Sequence, residues 1–350
     1  MPTAVVTRKV DGKPGSVYYP IETKTVPEAE PKENQVSVRV HAAALNHRDL
    51  FQRQNLYPGT TEGVTLLADG AGVVTATGSS PEAKKWLHKR VILNPGTGWK
   101  EDPDGPEDHR GYAILGGTKL NPLGTLTDSL VVDAGEIEEA PRHLSSVEAA
   151  ALPLTGLTAW RALMTKSGNC KPGRNILVTG IGGGVALMAL LFASAAGANV
   201  FVTSGSEEKL NKAKALGAAG GVNYKKEGWE KELLEQLPKQ RKFLDAVIDG
   251  VKPGGVIVVY GMTTGPKMPF LMSAVLKNID VRGSTMGSRK EFADMVEFVS
   301  NKHLRPVVSR VVNGLENLDG INGLFDDMKN ASQFGKLVIE IEKDGEASKL

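Results

Sequence analysis

The sequence has a single cysteine, Cys170, among its 350 residues. One thiol can form neither an intrachain disulfide nor a metal site with several cysteine ligands. The absence of a second cysteine therefore excludes a fold held together by disulfides and any multi-cysteine zinc or iron–sulfur centre.

Long apolar runs and an excess of one charge are also absent. No apolar stretch reaches the roughly 18 residues that a membrane-spanning helix needs. The 42 basic and 40 acidic side chains are spread along the chain and leave a net charge of +2, so we expect neither nucleic-acid nor membrane binding. A hydrophobic content of 41% with 23% charged residues is typical of a globular protein, and the length predicts two domains.

The two ends of the chain bear on targeting. Met1-Pro2-Thr3 lacks the charged and then apolar segment of a secretory signal, so we do not expect secretion. Ser348-Lys349-Leu350 matches the C-terminal tripeptide that the peroxisomal import receptor reads. We therefore expect a peroxisomal protein with this receptor as a partner, and the alternative is a functionless tail on a cytoplasmic protein.

The first part of the chain has the pattern of a β-rich domain. Apolar residues alternate with polar ones from Val36 to Val40, and further short strands are predicted over 70–74 and 90–93. Residues 94–117 are rich in glycine, proline and aspartate and show little periodicity. A loop of this length inside a compact domain is often functional, so we expect it at the rim of a ligand site.

After Pro153 short apolar runs alternate with amphipathic stretches, which is the pattern of βαβ units and predicts a parallel sheet. The predicted strands and helices are 175–179, 185–196, 199–203, 207–216, 246–248 and 256–260. A helix near 316–329 and a strand over 336–341 follow, and pattern alone assigns them to neither domain. The connection after 246–248 is too short for the crossover of about ten residues that parallel neighbours need, so either a helix has been lost or residues are missing between Gly250 and Val251.

The strongest chemical signal is a glycine-rich turn between the strand over 175–179 and the helix that follows. The turn comprises Gly180, Gly182, Gly183 and Gly184, with Val185 in place of the third glycine of a strict GxGxxG motif. Glycine lets the backbone approach a pyrophosphate, and the helix N-terminus offers unpaired N–H groups to the anion. The strand, helix and second strand around this turn predict dinucleotide binding, with an ordinary flexible turn as the alternative.

The end of the second strand bears on the choice between NADH and NADPH. NAD-specific enzymes present a carboxylate there to the adenosine ribose. This chain has Ser204, Gly205 and Ser206 instead, with Lys209 close behind, which leaves room for a 2′-phosphate and favours NADPH. Lys209 is alternatively a solvated helix lysine, and the adjacent Glu207-Glu208 pair opposes the assignment.

Several further short motifs are spread along nearly the whole chain. They are 43–50 (AALNHRDL), 69–74 (DGAGVV), 150–160 (AALPLTGLTAW), the turn at 180–186, 222–224 (VNY), 252–255 (KPGG), 282–284 (RGS) and 334–336 (FGK). In this order they resemble the zinc-independent, quinone-oxidoreductase-like branch of the medium-chain dehydrogenases/reductases. The resemblance implies an α/β protein with a GroES-like β-rich domain, formed by 1–150 with 307–350, and a doubly wound parallel-sheet Rossmann NAD(P)-binding domain over 151–306.

The resemblance also implies roles for individual residues. It places Asn46 near the nicotinamide, Thr155 and Thr158 along the path of the cofactor, and four residues at the adenosine phosphate, namely Ser204, Lys209, Tyr224 and Lys336. The alternatives are that Asn46 caps a helix, that Tyr224 is a packed aromatic residue and that Lys336 merely begins a strand. Relatives often form dimers through their Rossmann sheets, so a homodimer is possible here.

Zinc-dependent relatives hold their catalytic zinc with a cysteine, a histidine and usually a second cysteine. The corresponding positions in this chain are Asn46, Ala68 and a residue near Leu154. With one cysteine in the sequence, neither the catalytic site nor a structural four-cysteine site can form by that scheme. We therefore predict that no metal is bound.

Without a metal to polarise a carbonyl group, hydride transfer depends on positioning, hydrogen-bond donors and a proton source. We expect a small-molecule substrate and NADPH-dependent reduction of an activated double bond in a quinone, an enone or an enoyl thioester. Tyr57 lies where related enoyl-thioester reductases have a catalytic tyrosine and is the candidate donor, unless it only packs beside Pro58. The competing functions are metal-free alcohol or carbonyl redox chemistry and a non-catalytic NADPH-binding redox sensor.

Overall fold

The computed structural model describes residues 1–236, 251–261 and 272–344. The chain divides into two compact units, Met1–Thr155 with Ser288–Leu350 and Gly156–Gly287. The predicted domains differ from these units mainly at the second boundary, which was expected after residue 306. The earlier boundary has a physical reason, because the backbone N–H of Arg289 donates to the Trp99 carbonyl at 2.9 Å and its guanidinium donates to the Ile137 carbonyl at 2.9 Å, both within the first unit.

The elements of the described residues are as follows. The strands are β1 (Thr3–Thr7), β2 (Ile21–Thr25), β3 (Gln35–Ala44), β4 (Asp69–Thr77), β5 (Arg90–Leu93), β6 (Gly96–Thr97), β7 (Ala113–Ile114), β8 (Ser129–Asp133), β9 (Ile137–Glu139), β10 (Asn175–Val178), β11 (Asn199–Ser204), β12 (Gly220–Asn223), β13 (Val256–Val259), β14 (Asp280–Gly283), β15 (Val308–Asn313) and β16 (Lys336–Glu340). The helices are α1 (His47–Arg53), α2 (Pro81–Lys84), α3 (Ser146–Ala150), α4 (Pro153–Trp160), α5 (Gly184–Ala195), α6 (Glu207–Ala215), α7 (Trp229–Gln236), α8 (Met272–Leu276), α9 (Arg289–Lys302) and α10 (Leu318–Lys329). A 3₁₀ turn at Ala134–Glu136 and a π-helix at Arg161–Ser167 complete them.

The first unit is built on a sheet with the strand order β15-β16-β3-β4-β5-β9, in which β8 also pairs with β3. The pair β15 and β16 is parallel, and the remaining pairs are antiparallel. The predicted alternation is confirmed, since Val36, Val38 and Val40 of β3 are all fully buried. Because β16 pairs with β3, with Val338 opposite Ala44, the C-terminal part of the chain completes the β-rich unit, as the resemblance implied.

A hydrophobic core holds the start of α1 against the C-terminal elements. Leu45 and Leu50 belong to the same buried cluster as Phe325 of α10 and Leu337 of β16. The Leu45 backbone N–H also donates to the Leu337 carbonyl at 2.9 Å. Burying a side chain of this size stabilises the fold by roughly 1.5–3 kcal/mol, so this packing stabilises the junction between β3 and α1.

The second unit contains the predicted βαβ pattern. The strands β10, β11 and β12 are parallel neighbours, with α5 connecting the first pair and α6 the second. The strand β13 pairs in parallel with β14, with Val256 opposite Asp280. The strand predicted over 246–248 and the junction after Gly250 both fall on or beside residues outside the described ones.

The loop predicted over 94–117 is mostly irregular but contains the short antiparallel pair β6 and β7. A carboxylate fixes its outer part, because Glu107 accepts the backbone N–H groups of Lys100 at 2.6 Å, Glu101 at 2.8 Å and Asp102 at 2.9 Å. These hydrogen bonds, those from Glu101 and Asp102 most of all, lower the pKa of Glu107 to about 2. The loop is therefore a structured element with its own local network.

None of the helices in the described part of the chain combines the length and the apolar character needed to cross a membrane.

Candidate functional site

The first group of functional side chains lies where β3 ends and α1 begins. Asn46 is the N-cap residue of α1 and is only 5% exposed. Its backbone N–H donates to the Asp49 carboxylate at 2.7 Å, and this acidic residue in the first turn also suits the positive end of the helix. Asn46 therefore does occupy a capping position, as the alternative interpretation held, while its side-chain amide has further partners.

These partners are Asp69 and Lys336, and we call the three residues the Asn–Asp–Lys cluster. Asn46 Nδ2 donates to Asp69 Oδ2 at 2.9 Å, and Lys336 Nζ donates to Asn46 Oδ1 and to Asp69 Oδ2, both at 2.7 Å. Asp69 is fully buried and Lys336 is 4% exposed. Since an unpaired charge at such a position is strongly unfavourable, the ammonium and the carboxylate depend on each other.

The topology of the sheet creates this cluster from distant parts of the sequence. Asp69 is the first residue of β4 and Lys336 the first residue of β16, and both strands pair with β3, which leads into Asn46. The other oxygen of Asp69, Oδ1, accepts the backbone N–H of Leu154 at 2.8 Å. The sequence analysis missed Asp69 as a site residue, although a carboxylate at the start of an apolar strand signals the need for a cationic partner.

The contacts of Lys336 lie within the first unit. The resemblance placed its charge at the adenosine phosphate, together with residues that lie in the second unit. In the structure its ammonium is bonded to Asn46 and Asp69 within the first unit. A direct role at the phosphate stays a prediction, while the contacts with Asn46 and Asp69 give Lys336 a defined local role.

Tyr57, the candidate donor, lies beside another buried cation. The guanidinium carbon of Arg48 is 4.7 Å from the centre of the Tyr57 ring. The same guanidinium is fixed by the carbonyl oxygens of Leu115 at 2.8 Å and Gly116 at 3.0 Å, which belong to the long loop. The guanidinium therefore packs against one face of the Tyr57 ring. That Tyr57 acts as a hydrogen-bond or proton donor stays a prediction.

Asp49 adds a second carboxyl group to this region. It is fully buried, and burial raises its pKa to about 6, against the opposing effects of Arg48, the Asn46 N–H and Lys336. A neighbouring negative charge on Asp69 acts in the same direction as burial. The carboxyl group of Asp49 therefore titrates closer to neutrality than an exposed aspartate.

The side chains at the zinc-ligand positions of the zinc-dependent relatives do not fit a zinc ion. The amide oxygen of Asn46 accepts the Lys336 ammonium, Ala68 has no ligand atom, and the side chain of Leu154, near the third position, is apolar. A second cation would be repelled by the ammonium, and zinc prefers thiolate, imidazole and carboxylate ligands. Across the described ranges, no group of three or more histidine, cysteine, aspartate or glutamate side chains is arranged to hold a metal.

The glycine-rich turn in the second unit has the geometry of an anion site. Gly180 has φ +68° and Gly182 has φ +130°, conformations that favour glycine. The turn is tied to β11, because the Ile181 N–H donates to the Thr203 carbonyl at 2.8 Å. No atom of the described residues lies within 4 Å of a Cβ placed on Gly180 or Gly183, so these residues leave open space beside the N-terminus of α5. A pyrophosphate fits this arrangement.

The residues predicted at the adenosine phosphate lie together at the end of β11. Ser204 is buried and its Oγ accepts the Ser206 N–H at 3.2 Å, while Ser206 caps α6 by accepting the Lys209 N–H at 3.4 Å. The Lys209 side chain lies against the glycine turn, since its Nζ would be 3.4 Å from a Cβ on Gly182. The structure thus brings Lys209 next to the turn.

A tyrosine and an unpredicted lysine complete this strand end. Tyr224 is 48% exposed, and its hydroxyl would be 3.0 Å from a Cβ on Gly205. The side chain of Lys225 lies at the same place, with Cε 2.7 Å from that point. A larger side chain at 205 would clash with both, so the glycine keeps this position open. Sequence reasoning missed Lys225, although it directly follows the VNY motif.

Two glutamates that opposed the NADPH assignment have cationic partners. The Glu207 carboxylate pairs with Lys226 at 2.7 Å and accepts from Asn223 at 3.2 Å, and Glu208 pairs with Lys212 at 2.6 Å. The hydrogen bonds from these lysines lower the pKa of each glutamate. Their negative charges are therefore partly compensated.

Thr155 and Thr158, predicted to line the path of the cofactor, are both buried on α4. The Thr155 hydroxyl donates to the Ala151 carbonyl at 3.3 Å, within the first unit. The Thr158 hydroxyl contacts the sulfur of Met286 at 3.7 Å, within the second unit. Their contact with a cofactor stays a prediction.

Comparisons with known proteins agree with this description. A family model for the alcohol dehydrogenase GroES-like domain matches residues 32–142, and one for a zinc-binding dehydrogenase matches residues 184–301. A zinc-type alcohol dehydrogenase-like protein of Leptosphaeria maculans is 50% identical over 97% of this chain and 100% of its own. These matches confirm the predicted fold, a GroES-like domain plus a Rossmann domain.

Two solved structures have the same fold. One, of an NAD-dependent alcohol dehydrogenase, has a TM-score of 0.81 and 33% identity and covers 97% of this chain and 99% of its own. The other, of a crotonyl-CoA carboxylase/reductase in complex with NADP, has a TM-score of 0.81 and covers 98% of this chain and 95% of its own. At 18% identity the second shows a shared fold only.

Proposed function

This chain belongs to the zinc-type alcohol dehydrogenase-like family of medium-chain dehydrogenases/reductases and is an oxidoreductase, and we propose that it uses NADPH, without zinc, to reduce an activated double bond. The observation that carries the proposal is the Lys336 ammonium, which is hydrogen-bonded at 2.7 Å to the Asn46 oxygen, where a zinc ligand would be needed.

The second unit supports NADPH as the cofactor. Gly180, Gly183 and the N-terminus of α5 would hold the pyrophosphate, and the chain end of β11 would hold the adenosine. Ser204 stands where an NAD-specific enzyme has a carboxylate, and Lys209 and Lys225 provide positive charge for a 2′-phosphate. The bound cofactor supplies a hydride, which carries two electrons to the substrate.

The first unit would supply the groups that respond to this transfer. When hydride adds to the β-carbon of an enone or an enoyl thioester, the electrons of the double bond shift and negative charge develops on the carbonyl oxygen. Asn46 and Tyr57 are the candidate hydrogen-bond donors to that oxygen. A proton then adds to the α-carbon, and Tyr57, beside the Arg48 guanidinium at 4.7 Å, is the candidate source.

A second candidate function is metal-free oxidoreduction of an alcohol and a carbonyl compound. The name of the 33% identical structure, an NAD-dependent alcohol dehydrogenase, favours it. Hydride would then add to a carbonyl carbon, and the same donors would face the oxygen. A non-catalytic NADPH-binding redox sensor is the remaining alternative from the sequence.

Turnover of a substrate panel distinguishes these functions. Metal-free protein is titrated with NADPH and NADH, and NADPH oxidation is then followed with quinones, enones, enoyl thioesters, aldehydes and ketones. We expect tighter binding of NADPH and turnover of one activated-alkene or quinone class. Turnover of aldehydes alone would favour the second function, binding without turnover would favour the sensor, and a requirement for added zinc would contradict the proposal.

The variant Ser204→Asp tests the cofactor assignment. Its carboxylate would repel a 2′-phosphate, so we expect preference to move toward NADH by about 10-fold or more, measured as the ratio of the two dissociation constants. Ser204→Ala removes the hydroxyl without adding charge and serves as the matched control. An unchanged ratio in the aspartate variant would contradict this account of the strand end.

We also propose that the protein is imported into peroxisomes through Ser348-Lys349-Leu350, which lies outside the described residues. A fluorescent protein fused to the N-terminus should enter peroxisomes with the full chain and remain in the cytosol after these three residues are removed. Reversing the tripeptide to Leu-Lys-Ser keeps the composition and serves as the control. Import of the truncated fusion would show that the tripeptide is not the signal.

A further inference from the structure

We propose that Lys336 and Asp69 are positioning residues that lock the side-chain amide of Asn46 in one orientation, so that it presents one fixed N–H to the oxygen of the substrate. The identity of that oxygen rests on the proposed function, whereas the lock itself follows from the contacts of the Asn–Asp–Lys cluster. The cluster connects three elements of the first unit and is almost fully buried.

The lock follows from the two different ends of the amide. An asparagine side chain has an oxygen that accepts and a nitrogen with two N–H donors. Here Lys336 donates to Oδ1 at 2.7 Å, and Nδ2 donates to Asp69 at 2.9 Å. In the flipped orientation the NH₂ group would face the ammonium and the oxygen would face the carboxylate. Both contacts would be repulsive, so one orientation is strongly favoured.

This orientation leaves one donor for a ligand. Within the described part of the chain, Asn46 Nδ2 donates to Asp69, and this bond uses one of its two N–H groups. The second N–H is directed by the same planar amide group and cannot turn away without breaking both bonds. An ammonium on the oxygen of the amide also draws electron density from the nitrogen, which strengthens the remaining donor.

The three side chains are held by the backbone of the sheet. Asp69 is fixed through its Oδ1 by the Leu154 N–H at 2.8 Å, and its carbonyl accepts the Thr125 hydroxyl at 2.8 Å. The Asn46 backbone N–H is bound by Asp49 at 2.7 Å. The Asn46 amide thus lies at the start of a helix, and its partners lie on strands and have further hydrogen bonds of their own. A donor held in this way is positioned more accurately than a donor on a loop.

A purely structural role for Lys336 would need only one of its two hydrogen bonds. To neutralise the buried Asp69 carboxylate, the ammonium needs only its contact with Asp69 Oδ2. The additional 2.7 Å bond to the Asn46 oxygen adds nothing to that neutralisation but determines which end of the amide faces which partner. The two roles predict different behaviour of Asn46 when Lys336 is replaced.

The first experiment observes the amide directly. In ¹H–¹⁵N spectra of the full-length protein, the Asn46 side-chain signals are assigned from their loss in Asn46→Ala. We expect two resolved protons that exchange slowly with solvent, and in Lys336→Met and Asp69→Asn we expect exchange to accelerate by about 10-fold or more. Arg305→Met, which removes an exposed ion pair with Glu148 in the same unit, should leave the signals unchanged.

The second experiment asks whether Lys336 acts through Asn46. With an acceptor that turns over, Asn46→Ala should lower kcat by about 100-fold and Lys336→Met by about 10-fold. The double variant Asn46→Ala/Lys336→Met should have the same kcat as Asn46→Ala alone, because the residue that Lys336 positions is already absent.

Specific outcomes would overturn the inference. If the losses of the two single variants multiply in Asn46→Ala/Lys336→Met, to about 1,000-fold in kcat, Lys336 acts independently of Asn46. Unchanged Asn46 signals in Lys336→Met and Asp69→Asn would show that no lock exists. If Lys336→Met does not fold, Lys336→Met/Asp69→Asn, which removes both charges, replaces it in both experiments. Absence of turnover with every acceptor would contradict the proposed function, while the spectra would still decide the lock.

Discussion

The two groups of candidate functional residues differ in how far the protein itself supplies their hydrogen-bond and ion-pair partners. In the Asn–Asp–Lys cluster, the charges of Lys336 and Asp69 are buried and bonded to each other and to Asn46. At the glycine turn, by contrast, Gly180 and Gly183 adjoin open space, and Tyr224 is half exposed. The first group is bonded within the protein, and the second leaves space where we propose that the dinucleotide binds.

The difference has a physical reason. A group that positions a reacting atom must not rearrange during the reaction, so its partners come from the fold. A site for a cofactor that enters and leaves must keep its N–H groups and cations accessible, so part of its stabilisation comes from the ligand. Substitutions in the cluster should therefore affect folding, and substitutions at the turn should affect binding.

The largest effect is expected from breaking the buried ion pair. Lys336→Met leaves the Asp69 carboxylate buried without its cation, which should lower the free energy of unfolding by about 3–5 kcal/mol. Urea unfolding followed by circular dichroism measures the change. Lys336→Met/Asp69→Asn, which keeps an acceptor for the Leu154 N–H, should recover most of the loss. Equal destabilisation in the single and double variants would show that the unpaired charge is not the cause.

A smaller effect on the free energy of unfolding is expected when the pH changes, because Asp49 titrates in the same region as the cluster. Burial raises the pKa of Asp49 from 3.8 to about 6, so the folded state binds the proton more tightly than the unfolded state does. The resulting stabilisation is complete below pH 3.8 and is lost as the pH rises through about 6. Its magnitude is up to about 3 kcal/mol.

Unfolding measurements between pH 4 and pH 7 test this expectation. Asp49→Asn cannot titrate, so its stability should fall less than that of the parent protein across this range. Asp11→Asn removes an exposed carboxyl group and serves as the control, with a pH dependence like that of the parent. Parallel curves for the parent and Asp49→Asn would mean that Asp49 titrates like an exposed aspartate.

The smallest effect on stability, with a clear effect on binding, is expected at the turn. Gly183→Ala adds a Cβ that meets no atom within 4 Å among the residues that the structure describes, and the φ of Gly183, −78°, suits alanine. Stability should therefore change by less than about 0.5 kcal/mol. The methyl group would, however, occupy the space expected for the pyrophosphate and weaken NADPH binding by about 10-fold.

Calorimetric titration with NADPH and thermal unfolding of the same samples check both parts. Gly105→Ala, at a glycine of the long loop with equally open surroundings, should change neither quantity. Unaltered NADPH affinity in Gly183→Ala would argue against a pyrophosphate at this turn. Loss of stability in that variant would remove the contrast between the two sites.

The sequence alone predicted the elements whose patterns are local. The alternation in β3, the strand β5 over Arg90–Leu93 and the βαβ order around the glycine turn were confirmed, since period-two and helical patterns report burial within one segment. Family motifs predicted the GroES-like and Rossmann domains and the joining of the C-terminal strand to the first unit. The glycine-rich turn was recognisable because its four glycines fall within five positions of the chain, 180–184.

The tertiary structure alone showed which distant residues meet. Asn46, Asp69 and Lys336 are separated by 23 and 267 positions, and only the order β16-β3-β4 brings their strand ends together. It likewise decided that α9 belongs with the first unit and that Glu207 and Glu208 are paired with lysines. The physical reason is that burial and pairing of charges depend on neighbours in space, whereas a sequence pattern records only neighbours along the chain.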